Sequence, residues 1–219
     1  MNQDALTRHI GHLTLAVSIV CGATDVLAAP EAQFQSAFAH FIQASSGDMG
    51  SITQAADAFT SLLAAEPANP VLMAYAGSAT AMKATTTMMP WKKMAFAEDG
   101  LAQLDKALAL LGPAHDAPVQ HGTPGVLEVK FVASNTFLAV PGFMNRNERG
   151  AKLLGDVVAH PLLAAAPLAF KGSVWLSAAK EANKAKNTAE AKRFLDLVVQ
   201  QQAPQSAQAQ AMLKSLSAS

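Results

Sequence analysis

The sequence predicts an all-α protein, about nine helices stacked as hairpins, and three observations carry that expectation. Alanine fills 46 of the 219 positions; it costs no side-chain entropy in a helix and lets helix backbones approach closely. Apolar residues recur at three- and four-residue intervals along most of the chain, and no stretch alternates apolar with polar between hairpin turn signals. Hydrophobic residues make up 51% of the chain and charged residues 15%, which excludes a chain that stays unfolded for want of a core. Sixteen basic residues cancel sixteen acidic ones. A nucleic-acid partner needs a basic face to displace phosphate counterions, so that class is excluded too.

The elements follow in order from the N-terminus. Residues 1–28 read as a cleavable signal peptide. A polar opening that carries Arg8 precedes an apolar run, Leu13–Ala23, and the short side chains of Val26 and Ala28 place cleavage after Ala28, with Ala29 the next best position. The run is about half the roughly 20 residues a spanning helix needs, so no stable membrane insertion is expected after cleavage. Ser18-Ile19-Val20 lacks the small residue that lipidation at Cys21 would require. Cys21 is the only cysteine, so the exported chain, 29–219, holds together without a disulfide, as a single domain in the periplasm or outside the cell.

Phe34, Phe38 and Phe41 then fall at i, i+4 and i+7, the stripe of a first helix that Ser46-Gly47-Asp48 stops. Helices are predicted over Ser51–Ala65, Pro70–Thr87 and Pro90–Leu111. A loop rich in Gly, Pro and His follows, centred on 114–124. Val126–Val140 and Asn147–Ala159 form the next pair, broken by Pro141-Gly142. Leu168–Lys186 pairs with Thr188–Gln202, where Asn187 and Glu190 have capping-box spacing. Pro204 opens a last helix ending near Leu216.

Ala55, Phe59, Leu62 and Pro67, with Gly77 ten residues on, have the spacing of a tetratricopeptide repeat. Small residues there let two helices cross closely, and Pro ends the hairpin. Phe194, Leu197 and Pro204 echo the pattern, whereas Pro90 interrupts the 34-residue period between them. With Ala74-Tyr75-Ala76-Gly77-Ser78-Ala79, Pro90-Trp91-Lys92-Lys93, Gly100-Leu101, Leu104-Asp105-Lys106-Ala107, Asn135-Thr136, Pro141, Phe143 and Arg146, the chain resembles small exported tetratricopeptide-like proteins of bacteria over roughly residues 50–216. The resemblance implies a short α-solenoid and interaction with other proteins; the family carries no settled activity.

No H-E-x-x-H, C-x-x-C, G-x-S-x-G or phosphate-loop pattern occurs, so neither an enzyme nor a bound cofactor is expected. His115 and His121 share one loop with Asp116 and could meet at a divalent metal, but solvated loop histidines are the simpler reading. Met73, Met82, Met88, Met89 and Met94 crowd together in sequence, and soft thioethers suit Cu(I). An envelope copper carrier is therefore the alternative function. The six- and five-residue spacings do not stack on one helix face, and methionines also fill irregular gaps, so no metal site is predicted.

The first function is a non-enzymatic adaptor or scaffold that binds a protein or peptide. Trp91 is its expected anchor, in a groove between the third and fourth helices, with Lys92 and Lys93 at the rim. Tyr75 and Asn135 are expected between helices, where a polar group must find a partner, and Tyr75 and Arg146 join Trp91, Lys92 and Lys93 as candidate partner-binding residues. Arg146 and Arg149 start a helix, where cations oppose the dipole, which points to an acidic partner or to a nearby carboxylate such as Glu148. Glu98, Asp99 and Asp105 read as a solvated helix face.

Overall fold

The computed structural model describes residues 31–217, and the signal-peptide expectation for 1–28 lies outside them. Nine α-helices run through the described residues: α1 Glu31–Ser45, α2 Met49–Ala65, α3 Pro70–Met82, α4 Pro90–Ala109, α5 Gly125–Ala139, α6 Asn147–Val158, α7 Leu168–Lys184, α8 Thr188–Gln200 and α9 Ser206–Ser217. Among them there is no β-strand, only an isolated bridge between Pro118 and Pro124. No described helix is long and apolar enough to cross a membrane.

The helix starts are set locally. Asp48 accepts the Gly50 N–H, and Asn69 accepts those of Val71 and Leu72. Asn187 accepts that of Glu190. Each cap satisfies donors that have no partner within the helix. Pro70 and Pro90 stand in the first turns of α3 and α4, where the missing N–H costs nothing. The third helix ends at Met82, short of the expected Thr87. Thr85 and Thr86 donate their hydroxyls to the carbonyls of Met82 and Lys83 in a 3₁₀ turn, and Met89 before Pro90 is extended.

Consecutive helices pack as neighbours from α1 to α4, in the pairs α5–α6 and α6–α7, and from α7 to α9, while α3 and α4 both meet α5. Two apolar cores result. The first gathers Phe34, Phe41, Phe59, Leu72, Tyr75 and Leu104 with Val129, Val132 and Phe137 of α5. The second gathers Leu154, Val157, Val174, Leu195 and Val198 with Val126 and Leu127 of the same helix. Helix α5 thus belongs to both cores, which is why its sequence is apolar almost all round.

Of the polar side chains that α5 buries, Ser134 donates to the Phe131 carbonyl of its own helix, and Glu128 and Thr136 are paired with α3. Tyr75 donates its hydroxyl to Glu128 Oε1 at 2.6 Å, and the Ser78 and Thr136 hydroxyls lie 2.7 Å apart. Because Thr136 already donates to the Val132 carbonyl, Ser78 is the donor in the second pair. Asn135, in contrast, is only half-buried.

The repeat-like small residues fall inside the packing. Ala55 and Phe59 are fully buried on α2, and Phe59 stacks on Tyr75 with ring centroids 4.8 Å apart. Gly77 of α3 meets Gly100 of α4 so closely that a Cβ on Gly77 would lie 2.8 Å from the Gly100 carbonyl oxygen. Two glycines therefore let these backbones touch, and the seam between α3 and α4 is closed.

Candidate partner-binding groove

Because α3 and α4 close on each other, the groove expected between them is absent from that seam. It lies instead on the other side of α4, between α4 and the segment that leads into α6. Helix α4 buries nothing before Ala97; its later buried residues are Gly100, Leu101, Leu104 and Ala107. Its first two turns overhang the core. Met94, Glu98, Leu101 and Asp105 stand at i, i+4, i+7 and i+11 of that helix, a single stripe at about 100° per residue. Together with Ala102 they wall a compartment of about 330 Å³ whose opposite side is Phe143, Met144 and Arg146.

The far end of this compartment is an ion-pair bridge. Arg146 Nη2 lies 2.9 Å from Asp105 Oδ2, and Arg149 Nη1 reaches Asp105 Oδ1. Both guanidinium groups also lie over the Phe137 ring of α5, at 5.5 and 5.2 Å from its centroid. One carboxylate and one aromatic face thus hold two arginines at the start of α6. The misfit between these cations and the helix dipole is resolved by Asp105, not by Glu148. Asp105 leaves the solvated face assigned to it. Beyond the bridge a second compartment, about 480 Å³, is lined by Leu108, Leu111, Val126, Lys130, Arg149 and Leu153 together with Asp116.

Phe143, which lines the first compartment, is 68% exposed; outside its lining, Trp91 is 69% exposed and Met88 89%. The tryptophan is no core anchor. It lies three residues before Met94, on the same side of α4. Lys92 and Lys93 are exposed as well, but at about 100° and 200° from Trp91 around the helix they leave the stripe. They do not rim this groove.

Tyr75 is 4% exposed, so its assignment to a partner surface is corrected: its hydroxyl serves Glu128 in the interior. Burial drives the Glu128 carboxyl from 4.5 up to about 7; the nearby Glu31 pushes the same way and the Tyr75 hydrogen bond opposes both. Burial also raises the Tyr75 hydroxyl well above its usual range, helped by the charge and hydrogen bond of Glu128. Glu128 Oε2 has no hydrogen-bond partner among the described residues.

The metal candidates do not converge. His115 Nδ1 accepts the Gly112 N–H at 3.0 Å and shapes its own turn. His121 stands against Phe34 and Phe38, with ring centroids 5.0 and 4.5 Å away, and burial lowers its pKa. Among the described residues no three His, Cys, Asp or Glu side chains gather as a metal site. Met73 is buried, Met82 packs on the core, and Met88 and Met89 are exposed. Only Met94 shares a compartment with another methionine, Met144.

Phe143, Met144, Glu98 and Lys130 are the groove residues that the sequence did not single out as site residues. A turn-borne Phe after Pro141-Gly142 was the available sign, since a large aromatic in a short connection has no helix face to join. No known protein family, no curated protein and no solved structure matches this chain.

Proposed function

We propose that the protein is a non-enzymatic adaptor of helical-repeat type, exported by its N-terminal signal, that binds an apolar segment of a partner polypeptide along α4. The observation that supports this is a compartment that exposed Phe143 lines up to the Asp105 bridge, with exposed Trp91 one turn before its wall residue Met94 on α4. Large apolar side chains held at solvent gain most from being covered. Met94 and Met144 supply adaptable contact area beneath them. Glu98 is exposed on the same stripe and makes no ion pair with the described residues, so the partner segment carries a Lys or Arg beside its apolar anchor.

The test is affinity selection of a displayed random-peptide library on the wild-type protein, followed by binding of the selected peptides to variants. Trp91→Ala is expected to weaken them by about 2 kcal/mol, roughly thirtyfold, as truncation of an interface hot spot does. Glu98→Gln reduces the preference for a basic residue, whereas Lys92→Ala and Lys93→Ala leave binding nearly unchanged because they point elsewhere. Folded Trp91→Ala and Phe143→Ala proteins that hold the same peptides equally well would refute the assignment. Export is checked separately: mass spectrometry of the native protein is expected to give a chain starting at Ala29 or Pro30, and a retained Met1 refutes it.

A further inference from the structure

We propose that the second compartment, beyond the Asp105 bridge, is a binding site for an apolar carboxylate. It is a depression largely open to solvent, and its volume of about 480 Å³ falls within the range of about 300–1,000 Å³ of small-ligand sites. Leu108, Leu111, Val126 and Leu153 give it an apolar floor. Two cations face that floor. Lys130 comes from α5, half-buried, and none of the ion pairs among the described residues uses it. Arg149 gives Nη1 to Asp105 and keeps Nε and Nη2 without an acceptor among the described residues.

Charge decides the class of ligand. Asp105 neutralises only one of Arg146 and Arg149, and Lys130 adds a second positive charge. Asp116, an exposed lining residue of the same compartment, offsets one of the two. The compartment therefore retains about one net positive charge over an apolar floor. A neutral apolar ligand would strip water from Lys130 and Arg149 and return nothing for it. A phosphate dianion would bring a second negative charge against Asp116 and leave the leucines uncovered. A singly charged carboxylate with an aliphatic or aromatic tail matches both parts, its oxygens on Lys130 and the free edge of Arg149. That chemistry belongs equally to a free organic acid and to the C-terminus of a chain that ends in an apolar residue.

The test uses the full chain and four probes in calorimetric titration: octanoate, 1-octanol, and acetyl-Ala-Ala-Leu as free acid and as amide. At least one acid is expected to bind, and its neutral counterpart about tenfold or more weakly, the scale of one charge-assisted contact. Lys130→Met, which keeps the unbranched stem, is expected to lose a similar factor, Lys130→Gln to do the same, and Lys130→Arg to restore it. Raised salt weakens the acid and not the alcohol. Tighter binding of the acid peptide than of octanoate assigns the site to a chain terminus, and the reverse order assigns it to a free acid. Equal binding of octanoate and octanol overturns the proposal, as do a folded Lys130→Met protein that binds as the wild type does and an absence of binding by both acids at millimolar concentration. Trp91→Ala leaves these titrations unchanged if the compartment is a site of its own; a loss there overturns that separation and leaves the adaptor reading untouched.

Discussion

Adding one methyl group at Gly100 tests the closure of the seam between α3 and α4, on which the position of the groove depends. A Cβ there would lie 2.6 Å from the Ala81 backbone nitrogen and 2.8 Å from the Ala81 Cβ, and would collide with the Gly77 carbonyl oxygen. These are backbone atoms or the first atom of a side chain, so no rotamer change relieves the clash. The helices must separate, which costs about 1–3 kcal/mol in overpacked contacts; the rigid obstacles put Gly100→Ala in the upper half of that range. Against this, alanine in place of glycine inside a helix returns about 1 kcal/mol. The net loss is roughly 1–2 kcal/mol, a fall in Tm of about 2–8 °C for a chain of this size. Gly155→Ala is the control, because α6 leaves open space within 4 Å of that position; it keeps only the helix gain and is expected to stabilise by about 0.5–1 kcal/mol. Gly77→Leu, with Gln103 Cβ 2.9 Å from the new Cβ, costs more than Gly100→Ala. Thermal and urea unfolding followed by circular dichroism read all three. A Gly100→Ala protein as stable as Gly155→Ala would refute the close approach and reopen the seam as a binding groove.

Glu128 predicts a pH dependence. Its carboxyl rises from 4.5 to about 7 on folding, so between these values the folded chain holds a proton that the unfolded chain has released. The stability associated with the neutral carboxyl is complete below pH 4.5 and is lost as pH rises through 7, about 3 kcal/mol in all. His121 works the other way, since a lowered folded pKa favours the fold above its unfolded value of 6.5. Glu128→Gln leaves that histidine contribution in place, so the wild type is expected to lose more stability than the variant between pH 5 and pH 8 in urea unfolding; equal losses would refute the assignment. Asn69→Ala removes the acceptor of two N–H groups at the start of α3 and is expected to cost about 1–2 kcal/mol in the same assay; a change within about 0.5 kcal/mol would refute its role as a cap.

Local chemistry was legible and tertiary partnership was not. The Phe34-Phe38-Phe41 stripe, the Asn187 cap and the Pro at each helix start act within one or two turns, and the helices stand where those signals place them. Gly77 was legible as a small residue at a crossing, but its partner Gly100 belongs to the next helix and carries no mark of its own. Tyr75 and Glu128 are 53 residues apart, and nothing near Glu128 in sequence announces that a tyrosine will cover it. The direction of Trp91 was unreadable for a related reason. A periodic stripe tells a helix face from its back only where the helix reaches the core, and α4 reaches it first at Ala97.

Asp105 shows how an exposed-looking pattern becomes the hinge of the candidate site. Spaced seven residues from Glu98, it shares the helix side that sequence periodicity assigns to water. The fold brings the start of α6 within side-chain reach of α4 because both helices pack on α5, and that placement delivers two arginines to the same carboxylate 41 and 44 residues away. An exposed ion pair contributes about 0–1 kcal/mol, so this bridge is a weak stabiliser of the fold as a whole. Its consequence is geometric. Two guanidinium groups lie over the Phe137 ring and tie the start of α6 to the middle of α4, so the groove is divided at a fixed point. On one side lie exposed aromatics and thioethers with an unpaired acid, suited to an apolar segment bearing a cation. On the other lie leucines under Lys130 and Arg149, suited to an apolar tail bearing an anion. The division of the groove by charge therefore follows from which helices α5 holds together, a property of the packing and not of any one segment of sequence.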